Sequence, residues 1–305
     1  MNNIKVLVTG GAGFIGKNLS NFLLEKNFDV LVVDDLSLGN LVGLNKNIHF
    51  QKLNILNKKR LETQFQKFKP DYVFHLAALN TWSLNADKDL LNVNIAGTLN
   101  VLECVIHNSI KKFIYSSSAA VYGEAKKHPI SENDELRPLN LYGVSKVASE
   151  VLIKSILGES LTPYSILRFS NVYGPGQRFD NEGGVISIFC NNIINRRKIY
   201  VHGDGKQTRD FIYVDNVVDA LFKSMLYKGT FIANVSINQE TSINNLISLI
   251  EFITGQNINI GYKPDSIIEI KRSVLNNTKI KKLLNWRTSI DLKKGVTYTC
   301  QVIGN

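Results

Sequence analysis

Tyr142 and Lys146 stand four residues apart in a stretch with helical apolar spacing, which puts both side chains on one helix face. A phenol with an ordinary pKa near ~10 is a poor base at neutral pH. An ammonium held beside it favours the phenolate, so such a pair could take a proton from an alcohol. A tyrosine and a lysine one turn apart are also a commonplace surface pair, and they signify catalysis only in the right company. That company begins at Thr9-Gly10-Gly11-Ala12-Gly13-Phe14-Ile15-Gly16. Gly10 permits a tight turn, Gly13 lets the backbone approach a pyrophosphate, and Gly16 lets a helix pack closely on the preceding strand. The free N–H groups at the helix start then face an anion. Asp34 follows 24 residues after Gly10, at the end of the second apolar run. A carboxylate there can accept both hydroxyls of a ribose and would repel a 2′-phosphate. Asp35-Leu36-Ser37 brings no Arg or Lys, so the sequence points to NAD over NADP.

These residues need a scaffold, and the first 115 positions supply an alternation of strand and helix patterns. Apolar runs at Lys5–Thr9, Val30–Val33, Ile48–Leu53, Tyr72–Leu76 and Phe113–Tyr115 alternate with helical spacing at Phe14–Lys26, Lys58–Phe68 and Leu90–His107. Such alternation predicts an α/β fold, a doubly wound parallel sheet with helices on both faces and ligands at the carboxyl ends of the strands. A further helix is expected over Tyr142–Leu157 and a strand over Tyr164–Phe169. Beyond them the texture changes: Asn171–Gly184 is rich in Gly, Asn and Pro, as active-site loops are. Short strands are expected at Lys198–Val201, Asp210–Tyr213 and Phe231–Val235, with helices near Gly184–Asn195, Asp215–Leu226 and Ile243–Thr254. The expected organisation is a nucleotide-binding domain over 1–169, rejoined by part of 210–238, and a smaller mixed α/β lobe over 170–305.

Composition narrows the classes further. With 305 residues, 44% hydrophobic and 20% charged, the chain has globular usage and length for a substantial core. It contains no run of 18 apolar residues and opens directly into a strand-like segment, so neither a membrane span nor a signal peptide is expected. The net charge of +10 is spread over short groups such as Lys58-Lys59-Arg60 and Arg196-Arg197-Lys198, without interleaved aromatic residues. That pattern argues against a nucleic-acid partner and for a solvated basic surface. Cys104, Cys190 and Cys300 lie far apart, so neither a disulfide nor a metal site is expected, and a reducing cytoplasm is the natural setting.

The glycine spacing G-x-x-G-x-x-G, together with segments spread along the chain, resembles the extended short-chain dehydrogenase/reductase family of nucleotide-sugar epimerases and dehydratases. The matching segments are His75-Leu76-Ala77-Ala78, Asn94-Ile95-Ala96-Gly97-Thr98, Phe113 to Gly123, Tyr142-Gly143-Val144-Ser145-Lys146, Arg168 to Gly176, and Gly203 to Phe211. The resemblance implies a Rossmann-type NAD domain with Tyr142 as base, Lys146 beside it and Ser118 bridging to the substrate oxygen. It also implies that Gly10, Gly13, Phe14, Ile15, Gly16, Asp34, Asn54, Ile55, Leu76, Ala77 and Ala78 hold NAD. On the same basis Asn171 and Arg209 meet the diphosphate of a nucleotide sugar, and the protein is a homodimer.

Within that family, 4,6-dehydratases carry Asp-Glu after the catalytic hydroxyl, and sugar-acid decarboxylases also use an acid in this region. Ala119-Ala120 offer neither. What remains is hydride and proton transfer at one carbon: a 4-epimerase, or a 4-dehydrogenase or 4-ketoreductase with net redox change. A non-catalytic NAD-sensing regulator is a further alternative, although members of that type lose the Tyr or the Lys. The chain departs from the family in three places. The C-terminal Arg-x-Gly-Asp reads Ser266-Ile267-Ile268-Glu269, leaving Lys271-Arg272 to compensate. The usual adenine-facing Asp is Asn54, and the segment Leu79–Asp89 is short, which leaves the sugar open.

Overall fold

This computed structural model describes residues 4–80, 87–179, 183–264 and 270–304. In chain order the elements begin β1 (Lys5–Thr9), α1 (Phe14–Glu25), β2 (Asp29–Asp34), β3 (His49–Lys52), α2 (Lys58–Phe68) and β4 (Tyr72–His75). Then follow α3 (Asp87–Leu91), a π-helical turn (Asn92–Gly97) continuing into α4 (Thr98–Ile106), β5 (Lys112–Ser118), α5 (Leu141–Ser160), β6 (Tyr164–Phe169) and β7 (Asn171–Tyr173). The remainder comprises α6 (Val185–Ile194), β8 (Ile199–His202), β9 (Thr208–Arg209), β10 (Phe211–Tyr213), α7 (Val214–Leu226) and β11 (Phe231–Val235). It ends with β12 (Thr241–Ser242), α8 (Ile243–Thr254), β13 (Ile260–Lys263), α9 (Thr278–Leu284) and α10 (Leu292–Gly304). The chain divides into two units. The first is Met1–Val121, Asn140–Arg168 and Val218–Ala233; the second is Tyr122–Leu139, Phe169–Val217 and Asn234–Asn305.

The first unit is built on a seven-stranded sheet in the order β11-β6-β5-β4-β1-β2-β3. β1 runs parallel to both β2 and β4, β2 to β3, and β4 to β5. The chain moves outward from β1 to β3, then returns to β4 on the other side, so strand order reverses between β1 and β4. That switch point is where open α/β sheets bind ligands. One face packs Leu7, Val33, Val73 and Phe113 of the strands against Leu61 and Phe65 of α2, Val101 and Val105 of α4, and Ile153 of α5. On α1 and α7, Phe22 and Phe222 meet edge to face at 5.3 Å. The segment that rejoins this unit late in the chain is Val218–Ala233, within the expected 210–238. Residues 122–139, expected in the same domain, cluster instead with the second unit.

Among its described residues the second unit has no large sheet; it contains three two-stranded pairs, β10–β7, β12–β9 and β13–β8. Buried polar side chains bind them together. Asp210, fully buried, accepts backbone N–H groups of Ile237, Asn238 and Leu275 at 3.1, 3.1 and 3.2 Å. Asn216 Oδ1 accepts from Ser289 N and Ile290 N, while its backbone oxygen takes the indole N–H of the buried Trp286. The expectation that no disulfide forms is overturned here. Cys190 on α6 and Cys300 on α10 are bonded across 110 residues of sequence, with Cα atoms 5.3 Å apart. Spacing carried no sign of it because the two meet only when α6 packs on α10. Cys104 is free and buried.

Candidate active site

The glycine turn follows β1 and opens α1. Gly10 has φ +70°, and a Cβ on it would run into the backbone of Leu76 and Ala77, so a larger residue here would push β1 and β4 apart. A Cβ on Gly16 would strike the carbonyl of Gly10. The start of α1 has no side-chain cap, which leaves its first N–H groups available for an anion. Gly10, Gly13, Asp34, Asn54, Ile55, Leu76, Ala77 and Ala78 line one cleft at the switch point, joined by Asp35 and Leu79. Phe14, Ile15 and Gly16 belong to the first turn of α1 beside it. This uncapped helix start, glycine cradle and carboxylate suit an adenine dinucleotide.

Asp34 ends β2 with its Oδ2 accepting Ala12 N at 3.0 Å and its Oδ1 accepting Leu36 N at 2.8 Å. Burial raises its carboxyl above the usual range, with those N–H groups opposing. It stitches the glycine turn to the β2 end, as a ribose-binding carboxylate should be held. Asn54 is more committed than its sequence position suggests. Its Nδ2 donates to Asp35 Oδ2 at 2.7 Å, and its Oδ1 accepts Leu56 N at 2.8 Å.

Ser118, Tyr142 and Lys146 come together at the end of β5 and the first turns of α5. Asn140 caps α5 by accepting Gly143 N at 2.8 Å, which fixes the turn bearing Tyr142. The Ser118 hydroxyl hydrogen-bonds the Tyr142 phenol, and burial pushes that phenol up to about 12. This is the reverse of the lowering expected from a neighbouring ammonium, because burial disfavours the charged phenolate. Lys146 Nζ donates to Ser116 O at 2.7 Å and sits over the rings of Tyr115 and Tyr142, at 4.8 and 5.6 Å from their centroids. Burial pulls this ammonium down to about 7, against the attraction of Glu150.

Sequence reasoning singled out neither Glu150 nor a second buried network centred on His75. Thr98 Oγ1 donates to Asn94 O at 2.6 Å, so towards His75 Nε2, at 2.8 Å, it can only accept. His75 therefore carries its proton on Nε2, and Nδ1 accepts the Thr9 hydroxyl at 2.6 Å. Burial, reinforced by Lys146, holds this imidazole down to about 3 and so neutral. Asn94, in the π-helical turn, bonds Leu79 through both side-chain atoms and donates to Ser145 Oγ at 2.9 Å. The network ties a residue of the cleft wall to the helix that bears Tyr142 and Lys146. The partners lie tens of residues away, so no local motif announces them.

In the second unit, Asn171 begins β7 in register with Phe211 of β10, and its N–H donates to Asp210 O at 2.9 Å. The pairing brings Asn171 beside the strand that follows Arg209. Arg209 Nη1 donates to Thr208 O and Ile270 O at 2.9 and 2.7 Å. Lys271–Ser273 runs along Thr208, and Arg272 donates from Nε to Glu240 Oε1 at 2.7 Å. Residues 266–269, and most of the short segment after Leu79, lie outside the described residues.

Comparisons with known proteins agree with this geometry. The profile of the NAD dependent epimerase/dehydratase family matches residues 6–233. The chain is 32% identical over 313 residues to the UDP-glucose 4-epimerase of Mycolicibacterium smegmatis, covering 99% of each. Among solved structures, the UDP-glucose 4-epimerase of Thermotoga maritima with UDP-glucose superposes with TM-score 0.96 at 35% identity, over 98% of both chains. The Thermus thermophilus UDP-glucose 4-epimerase in complex with NAD gives 0.93 at 28% identity, over 98% of this chain and 99% of that one.

Proposed function

This chain belongs to the NAD-dependent epimerase/dehydratase family, and we propose that it is a nucleotide-sugar 4-epimerase acting through a transient 4-keto sugar. The observation that carries the reading is the junction of β5 and α5, where a serine hydroxyl bonds a half-buried phenol and a buried lysine packs on the same ring. NAD, when bound, supplies the hydride acceptor and then the donor. Tyr142 Oη takes the proton of the sugar 4-hydroxyl and later returns it. Ser118 Oγ donates to the substrate oxygen as carbonyl character develops. Lys146 supplies positive charge beside the phenol, and Asp34 orients the cofactor by its ribose. Asn171 and Arg209 take the diphosphate, Arg209 by the planar fork suited to phosphate oxygens. The turn Ala119–Val121 directly after β5 presents two methyl groups where a dehydratase needs an acid and a base.

UDP-hexoses are the first substrates to try, because the three relatives described above are named for UDP-glucose. Catalytic amounts of protein should convert excess UDP-glucose to the 4-epimer without added NAD, and deuterium at C4 should stay in the product. A requirement for stoichiometric cofactor would replace the epimerase with a dehydrogenase or ketoreductase using the same three residues. The protein is further read as a homodimer. Exposed Val144 and Val151 on α5 and exposed Ile106 at the end of α4 leave apolar surface on helices that also frame the site. Val151→Glu should convert a sedimenting dimer to monomer; a wild-type monomer overturns this.

A further inference from the structure

Three consecutive serines end β5, and each is engaged by a different turn of α5. Ser116 O accepts Lys146 Nζ at 2.7 Å, Ser117 Oγ donates to Glu150 Oε1 at 2.6 Å, and Ser118 Oγ bonds Tyr142. Two of these contacts serve the reacting pair directly. The middle one goes to a carboxylate that proton and hydride transfer do not use. Glu150 is 0% exposed and follows Lys146 by one helical turn. Its Oε1 accepts Arg168 Nε at 2.9 Å, and its Oε2 accepts Arg168 Nη2 at 2.7 Å, a two-pronged pair from β6. Arg168 is 2% exposed. Buried ion pairs are no cheap source of stability, since their desolvation cost rivals their attraction. A pair placed this way calls for a function beyond packing.

We propose that Glu150, held by Arg168 and Ser117, is the positioning residue that keeps Lys146 charged and keeps the serine strand in register with α5. The groups facing Lys146 can be named element by element. His75 reaches it from β4, Tyr115 and Ser116 O from β5, and Tyr142 and Glu150 from its own helix. Arg168 lies on the β6 side of Glu150. His75 is neutral and Tyr115 is an uncharged phenol, so among these named groups, apart from the reacting Tyr142, Glu150 is the negative charge. Burial already draws the lysine proton affinity down to about 7, and Glu150 opposes that loss. Without the carboxylate the proton affinity of Lys146 would fall further. Without its bond to Glu150, Ser117 would no longer pin the residues on either side of it.

The inference rests on Tyr142 and Lys146 as the reacting pair, whichever sugar they serve. The test compares NAD-loaded wild type with Glu150→Gln, Glu150→Asp and the double variant Glu150→Gln/Arg168→Met. The readouts are turnover and the pH titration of the isotope-labelled Cε resonance of Lys146. Glu150→Gln should lower kcat by about 10- to 100-fold with KM within about threefold. It should also bring the Lys146 midpoint down by roughly one pH unit or more, and Glu150→Asp should restore part of both. If Glu150→Gln fails to fold, the double variant replaces both buried charges with neutral side chains. It removes the carboxylate one helical turn from Lys146 together with the cation beyond it, so its Lys146 midpoint should fall less than in the single variant and still lie below wild type. A wild-type midpoint in either folded variant overturns the proposal, as does an unchanged kcat. Should the wild type epimerise no sugar at all, the proposed activity fails while the lysine titration still decides the role of Glu150.

Discussion

The two units solve the same problem, holding reactive side chains still, with different materials. In the first, a seven-stranded sheet carries the load, and the reactive groups sit where strands end: Asp34 on β2, His75 on β4, Ser118 on β5. Backbone ladders fix the ends of β2 and β4, and at the end of β5 the side chains of α5 add to them. In the second, strands are two to four residues long and pair in twos. Single polar side chains do there what ladders do in the first unit, with Asp210 alone receiving three backbone N–H groups. Loss of one side chain should therefore damage chemistry in the first unit and stability in the second.

The largest expected effect follows from that contrast. Tyr142→Phe should leave melting temperature and NAD content close to wild type and lower turnover by roughly 10²–10⁴, the usual worth of a general base. A residual rate above about a tenth of wild type would assign the base to another group. Next in size is the α6–α10 cross-link of the second unit. Cys300→Ser should lower stability by about 2–4 kcal/mol in denaturant melts, because it frees a long loop in the unfolded chain. Reductant should weaken the wild type and leave the variant unchanged. Equal sensitivity of the two would mean that the bond contributes nothing.

Asp210 sharpens the comparison through pH. Burial raises its carboxyl to about 6, with the three N–H groups opposing. Since the folded state binds this proton more tightly than the unfolded chain, where aspartate titrates near ~3.9, the group's contribution to stability falls as pH rises from about 4 to about 6. Below that window the contribution is whole, and above it a loss on the order of 3 kcal/mol is complete. Asp210→Asn, which cannot titrate, should flatten this part of the stability curve. Parallel wild-type and variant curves between those pH values would show that Asp210 does not titrate there.

The same contrast explains how much could be read from residues alone. Lys58–Phe68 and Ile243–Thr254 form helices at their expected bounds, because amphipathic spacing and local caps define them, and Phe231–Val235 forms a strand at its expected bounds as a short apolar run. Gly10 and Gly13 of the cleft are legible for a related reason, since strand, glycine turn and helix are neighbours in sequence, whereas Asn54, Ile55 and Leu76–Ala78 rest on the family resemblance. Helix α10 was not expected. Its Val, Thr and Tyr content reads as strand, and only burial of Val296, Thr299 and Cys300 on one side makes it a helix. His75 belongs to a motif legible in the sequence, but its buried role depends on Thr9, 66 residues away. Glu150 looked like an ordinary helix glutamate, and its partner Arg168 lies 18 residues on. Long-range polar pairs leave no period in the sequence.

The smallest predicted effect separates the two units most cleanly. Asn140 caps α5 in the first unit and Ser242 caps α8 in the second, each accepting the backbone N–H three residues on, at 2.8 and 3.1 Å. Replacing either with Ala should cost about 1 kcal/mol, since one helix-end donor loses its acceptor in each case. The chemical consequences should differ. The first turn of α5 carries Tyr142, whose phenol must meet Ser118, and small misplacements of reacting groups are expensive in rate. Asn140→Ala should therefore lower kcat several-fold beyond what its lost stability explains at a temperature where both variants are fully folded. Ser242→Ala should melt earlier and turn over at the wild-type rate. Equal kcat in the two variants would mean that the α5 cap holds the helix without aiming the tyrosine, and that β5 alone sets the geometry of the pair.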